Sequence, residues 1–242
     1  CERRDNLLRA QSARESAQTQ QTRSLFLTSI AHDQRTPLAS IMTSASAILE
    51  QTDRLSHDEI RHYAELIQEE TQQVARLTDN TLTLARLSGE KVKVPMQLES
   101  VEDMVAAVLQ RLRKRKTLYI PTVKVAAGLP LVNCNMVLVE QVLDNLIDNA
   151  IKHSGVPGSV ELKVLQQQGE VVFQVTDSGQ GMQSQLKSKG DESRGLGIGL
   201  QLCKAVAQVH SGRLEFSSAA SSGIGVLATF ALPSTIAQEH GA

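Results

Sequence analysis

The sequence predicts a multi-domain α and α+β chain: an antiparallel helical hairpin that forms a dimeric four-helix bundle, followed by a two-layer α/β sandwich. Three observations carry this expectation. Apolar residues recur in steps of four and three from Leu27 to Ile48, the spacing of a helical seam. A second long amphipathic stretch follows after a short polar turn at residues 52–58. Beyond Pro95, helices and strands mix without regular βαβ repetition, which favours two layers over a doubly wound sheet.

The elements follow in chain order. Residues 1–24 carry a weak seam through Ala10, Ala13 and Ala17 and read either as an incoming signalling helix or as a frayed end. The first helix of the hairpin has Leu27, Ala31, Gln34, Leu38, Ile41, Ala45 and Ile48 on its seam and runs to about Gln51. Gln34 breaks the apolar pattern, and a buried amide costs about 1–3 kcal/mol unless it is paired. A second helix over residues 56–87 bears the stripe Ile60, Ala64, Ile67, Val74, Leu77, Leu84 and Ala85. Two such helices cannot close a core alone, whereas a homodimeric four-helix bundle buries both stripes. Gly and Pro bracket a charged linker within residues 88–95. The sandwich then needs helices at about 101–113, 135–153 and 199–210, and strands near 118–125, 159–166, 170–176, 213–218 and 225–232. The expected divisions are 1–24, 25–89 for the hairpin, 90–95 for the linker, 96–234 for the sandwich, and a tail at 235–242.

Composition narrows the function. The 242 residues give ample chain for a core. A net charge of -1 makes no electrostatic case for nucleic acid or a membrane surface. Four Phe, two Tyr and no Trp leave no stacking platform for bases. Cys1, Cys134 and Cys203 lack metal-ligand spacing, and an odd, scattered set fits a reducing compartment. No apolar run approaches the roughly 18 residues that cross a bilayer, and no signal peptide is evident. Opening on Cys1 rather than Met, the chain reads as the cytoplasmic portion of a longer protein, with any membrane anchor in a segment outside it.

Two regions carry chemistry. In SIAHDQRTPLASI, residues 29–41, His32 sits beside the seam and faces outward. An exposed imidazole has a pKa of about 6.5, is neutral and nucleophilic at neutral pH, and can accept a phosphoryl group. Thr36, one turn on, stands over it, Asp33 reaches it sideways, and Pro37 removes a backbone donor just past the site. A lone His in this setting would read as an ordinary surface residue. The second region is QVLDNLIDNAIKH, where Asn145 and Asn149 form one polar row and Asp148 and Lys152 another. Amide oxygens are hard neutral ligands suited to Mg²⁺, and Lys152 brings positive charge for phosphates. Alone, these rows read equally well as a solvated helix face. TDSGQGM follows a strand: Asp177 can accept from an exocyclic amine, while Gly179 and Gly181 permit close backbone approach, or simply make a turn. In RGLGIGLQLC, Gly195, Gly197 and Gly199 open a helix whose free amides favour phosphate, without a Walker loop or a dinucleotide fingerprint.

HDQRTPL resembles the H box of bacterial sensor histidine kinases, and DNLIDNAIKH, DSGQGM, GLGIGL and SSGIGVLATFAL, in that order, resemble the N box and glycine boxes of the GHKL ATP-binding domain shared with gyrase. The resemblance covers roughly residues 25–232. It implies that His32 is phosphorylated by ATP with Mg²⁺, that Asp33 is the acid/base partner, and that Thr36 orients water when a regulator is dephosphorylated. It further implies that Asn149, assisted by Asn145, ligates Mg²⁺, that Lys152 contacts phosphate, and that Asp177 reads adenine. Asp148, His153, Gly179, Gly181, Gly195, Leu196, Gly197, Gly199 and Leu200 complete the implied ATP site. The implied partners are a second copy of the chain and the receiver domain of a response regulator, with the parent protein in a bacterial inner membrane. The chain departs from the family in three places. Residues 182–194 are short and lack the usual Phe, His153 stands where Tyr or Phe is common, and Asn133-Cys134-Asn135 replaces a stretch that usually carries Asp. A non-catalytic module that pairs with another kinase is the alternative, and a stand-alone gyrase-type ATPase is disfavoured because the His-bearing hairpin would have no role.

Overall fold

The computed structural model describes residues 31, 33–51, 54–88, 93–114, 120–154, 159–179, 197–219 and 225–234. The chain divides into two compact units, 1–81 and 82–242.

The helical region consists of helix α1 (residues 33–51) and helix α2 (His57–Leu87), in the order expected for the hairpin, and the boundary between the units falls within α2. The start of α2 follows from Ser56-His57-Asp58-Glu59. The Ser56 hydroxyl accepts the Glu59 N–H at 3.3 Å, and the Glu59 carboxylate accepts the Ser56 N–H at 2.8 Å. This reciprocal pair satisfies two donors that a helix start leaves open. On α1 the protomer buries Pro37 and Ser44, each one residue before a predicted seam position. Gln34, Ile41, Ala45 and Ile48 are half-buried, and Leu38 is 46% exposed. The predicted seam thus covers only part of what the helix uses, because α1 carries two adjoining apolar faces. On α2 the small residues Ala64 and Ala85 of the predicted stripe are exposed, whereas the polar Asn80 is buried.

The second unit is a two-layer α/β sandwich. Its elements are β1 (Gln97–Glu99), α3 (Val101–Lys114), β2 (Thr122–Val125), β3 (Val132–Cys134), α4 (Met136–Ser154), β4 (Glu161–Gln167), β5 (Glu170–Thr176), α5 (Ile198–Val209), β6 (Arg213–Ser218) and β7 (Val226–Pro233). Five strands form one sheet in the order β2-β4-β5-β7-β6, with β2 parallel to β4 and the other pairs antiparallel. β1 and β3, which the sequence patterns do not signal, pair as a separate antiparallel ribbon. Strand β4 alternates, with Leu162 and Val164 inward, as expected for a sheet with one covered face. Phe173 and Phe230 are cross-strand partners with ring centroids 5.9 Å apart, and both are fully buried.

Helices α3, α4 and α5 make the other layer, with α4 packed between its two neighbours. The buried face of α4 is Val139, Val142, Leu143, Leu146, Ile147 and Ala150. Arg111 of α3 pairs with Glu140 and Asp144 on the flank of α4, at 2.5 and 3.0 Å. On the other side the Cys203 thiol of α5 donates to the Val142 carbonyl at 3.9 Å. Both Cys134 and Cys203 are buried free thiols, and desolvation pushes Cys134 up to about 11. They serve as small core residues rather than nucleophiles.

Candidate nucleotide-binding and phosphoacceptor sites

Asp177 lies one residue past β5 and is still tied to β7, since its N–H donates to the Val226 carbonyl at 3.0 Å. Its side chain is buried. Oδ1 accepts the N–H groups of Gly179 at 2.8 Å and Val226 at 3.3 Å, so two fixed donors orient the carboxylate. Among the described residues nothing donates to Oδ2, which leaves that oxygen for an amine. The loop that frames it has no room for side chains. A Cβ on Gly179 would stand 2.1 Å from the His153 carbonyl oxygen, and one on Gly225 would stand 2.1 Å from the Asp177 carbonyl oxygen. Gly225 also adopts φ +82, a conformation L side chains rarely take. Its N–H closes the loop by donating to the Gly179 carbonyl at 2.8 Å. Gly225 is a supporting residue that sequence reasoning did not single out, although it sits inside the quoted SSGIGV motif.

Helix α4 begins at Asn135, whose side-chain oxygen accepts the Leu138 N–H at 3.1 Å. Asn135 therefore caps α4, a position that Asn fills as well as Asp. Asn145, Asp148 and Asn149 are half-buried along this helix, and Lys152 and His153 are exposed at its end. The Asn149 side-chain amide makes no hydrogen bond among the described residues. Gly197 caps α5, with Gly199 in its first turn, and a Cβ on Gly199 would meet Asn145 Oδ1 at 3.0 Å. The structure thus brings Asn145 of α4 against the glycine-rich start of α5. Leu200 is half-buried in the same turn. Neutral amide oxygens, an ammonium group and open helix amides fit a nucleotide phosphate with Mg²⁺, and a side chain at Gly199 would press on the Asn145 amide.

His32, Gly181, Gly195, Leu196 and residues 182–194 lie outside the described residues. Asp33 is half-buried on α1, and Thr36 is exposed next to the buried Pro37.

Comparison with protein families assigns both units. Residues 22–90 match the His Kinase A (phospho-acceptor) domain, and residues 135–236 match the histidine kinase-, DNA gyrase B-, and HSP90-like ATPase domain. The chain belongs to the sensor histidine kinases. Among similar proteins, sensor protein KdpD of Clostridium acetobutylicum is 32% identical over 217 residues, which is 83% of this chain and 24% of that protein. This kinase chain therefore spans about a quarter of the length of that relative. Its fold is shared with the Acinetobacter baumannii histidine kinase AdeS, at TM-score 0.62 and 19% identity over 85% of this chain and 98% of that one. The same score, at 20% identity over 95% of this chain and 67% of the other, holds for histidine kinase ThkA, solved in complex with the response regulator protein TrrA. Two-component signalling and ATP binding go with this histidine kinase family. No helix among the described residues is long and apolar enough to cross a membrane.

Proposed function

We propose that the chain is the transmitter part of a sensor kinase. It phosphorylates itself on His32 with ATP and Mg²⁺, then passes the phosphoryl group to an Asp of a response regulator. The carrying observation is that one chain combines HDQRTPL within the phosphoacceptor match with a constrained Asp177 loop that abuts α4 at His153 and with the approach of Gly199 to Asn145 of the same helix.

In this reading residues 25–89 dimerise and carry the phosphoacceptor, residues 90–95 link, and residues 96–234 hold the nucleotide. Bound ATP with Mg²⁺ supplies the transferable γ-phosphoryl group and neutralises its charge. Asp177 takes the exocyclic amine of adenine on Oδ2, since Oδ1 is already engaged. Asn149, assisted by Asn145, holds the metal through amide oxygens, and Lys152 counters phosphate charge. The helix start at Gly197 and Gly199, together with Gly195 and Leu196, offers backbone amides to the phosphates. His32 attacks the γ-phosphorus in line through a neutral ring nitrogen as the bond to the bridging oxygen breaks and ADP leaves, and Asp33 receives the proton the ring gives up. Little covalent work falls to other side chains, because phosphoryl transfer is accelerated mainly by positioning and charge neutralisation. Thr36 serves the opposing phosphatase activity by orienting water for hydrolysis of the regulator's aspartyl phosphate, which releases inorganic phosphate.

The test is incubation of the purified chain with γ-labelled ATP and Mg²⁺. Wild type should acquire acid-labile, base-stable label. His32→Ala should lose the label and keep nucleotide binding, and Asn149→Ala should lose both. Label surviving in His32→Ala sinks the assignment of the acceptor, and nucleotide binding without label in wild type points to a module that regulates another kinase.

A further inference from the structure

His210 is buried at the C-terminal cap of α5, and no part of the phosphoryl-transfer reading uses it. Both ring nitrogens are engaged. Nδ1 lies 2.8 Å from the Val206 carbonyl, one turn back on its own helix, and Nε2 lies 3.0 Å from the backbone N–H of Asn135, the cap of α4. A carbonyl can only accept and an N–H can only donate, so the ring is the neutral tautomer with its proton on Nδ1 and an open lone pair on Nε2. Asn135 is also occupied at every polar atom. Its Oδ1 caps Leu138, and its Nδ2 donates to the carbonyl of Pro95, at the end of the linker, at 3.1 Å. A continuous path of hydrogen bonds therefore runs from the linker, through the start of α4, to the end of α5. These two helices carry Asn145 and Asn149 on one and Gly197 and Gly199 on the other.

We propose that His210 is a positioning residue for the nucleotide site: its neutral ring bridges the end of α5 to the start of α4 and, through Asn135, ties both to the linker at Pro95. The inference rests on reading α4 and the start of α5 as the nucleotide site. The two helices also pack along their lengths, with the Cys203 thiol of α5 on the Val142 carbonyl of α4, so a shift at the bridged end is carried toward Asn145 and Gly199. The bridge also has a built-in release. An imidazolium has no lone pair for Asn135 N–H, so taking up one proton breaks the bond. Burial holds His210 below its ordinary value of 6.5, and the Val206 carbonyl opposes this in part. No charged side chain of α4, α5, β3 or β6 shifts it. Of the nearest ionisable neighbours along the chain, Cys134 of β3 is neutral at these pH values, and Arg213 of β6 is paired with Glu170 and Glu215.

The experiment compares binding of a non-hydrolysable ATP analogue with Mg²⁺ in wild type and His210→Gln at pH 7.5 and at a pH below the midpoint of the His210 ring, which NMR locates. The Gln amide can reach the same acceptor position and does not titrate. Wild type should lose several-fold more affinity on acidification than His210→Gln, and the two should bind within about twofold of each other at pH 7.5. Identical pH profiles overturn the proposal. Should His210→Gln fail to fold, the wild-type protein decides by NMR: the backbone amides of Gly199 and Asn149 should titrate at the midpoint of the His210 ring. A ring that titrates while those amides stay still overturns it too. Absence of analogue binding by wild type at either pH would instead defeat the nucleotide reading, and the amide titration would still test the bridge.

Discussion

The carboxylate of Asp177 is oriented by the residue two places after it: Oδ1 accepts the Gly179 N–H at 2.8 Å, and the Val226 N–H completes the pair at 3.3 Å. One oxygen serves the fold, and in the proposed nucleotide reading the other takes the ligand. Asp177→Asn separates these uses. The amide oxygen can keep both backbone donors, while the amide nitrogen replaces the acceptor with a donor and repels an exocyclic amine. A hydrogen bond to a charged group is worth about 1.5–3 kcal/mol, and each 1.4 kcal/mol is tenfold in affinity. ATP should bind roughly 10- to 100-fold more weakly by calorimetry, with a melting temperature within about 3 °C of wild type. Loss of stability equal to the loss of binding would show that the second oxygen has no ligand role.

Gly179 and Gly199 are both crowded, but by different kinds of neighbour. At Gly179 a Cβ would face the His153 backbone, 2.1 Å from oxygen and 2.9 Å from carbon. Backbone cannot rotate away, so Gly179→Ala should destabilise the second unit by about 1–3 kcal/mol, as overpacking does. At Gly199 the neighbour is the Asn145 side chain at 3.0 Å, which can turn aside. Gly199→Ala should therefore melt close to wild type and bind Mg²⁺–ATP several-fold more weakly, because the displaced amide is a proposed metal ligand. Thermal melts and calorimetry on the two variants should give opposite orders of damage.

Long periodic elements were legible from residue spacing alone. Helix α2 was expected at 56–87 and is His57–Leu87, and β5 and β6 fall where the alternation and turn residues put them. The ribbon of β1 and β3 was not legible, because three-residue strands carry too little alternation to register. Site residues on helices could be named because a spacing of four is visible in a linear sequence. His210 and Gly225 could not be placed this way. Each acts on residues 46 or more positions away, at Asn135 and Gly179, and only the folded backbone brings those partners together.

The capping pair at the start of α2 predicts a pH effect with a definite sign. The backbone and side chain of Ser56 hold the Glu59 carboxyl below its ordinary 4.5. A depressed folded value means that the stabilisation is present above 4.5 and is lost as pH falls through the folded value. Ser56→Ala removes the side-chain share and leaves the backbone bond. The Glu59 carbon resonance should then titrate closer to 4.5, and the hairpin should melt at lower temperature at pH 7 than wild type does. An unchanged titration would show that the pair does not persist in solution.

Leu38, Met42 and Leu49 lie on one stripe of α1, four and seven residues apart, and are 46%, 71% and 80% exposed in the protomer. Three bulky apolar side chains in a row on a helix face signal an interface, and the phosphoacceptor match at residues 22–90 favours a second copy of the hairpin as its cover. A two-fold axis uses each residue twice. Burying one such side chain is worth about 1.5–3 kcal/mol, so Met42→Glu with Leu49→Glu removes four burials and introduces four charges that would have to enter an apolar seam. The wild-type chain should sediment as a dimer at micromolar concentration and the double variant as a monomer. Nucleotide affinity should be unchanged, because residues 82–242 form a compact unit of their own. A wild-type chain that stays monomeric at these concentrations, or a variant that stays dimeric, would remove the stripe from the interface.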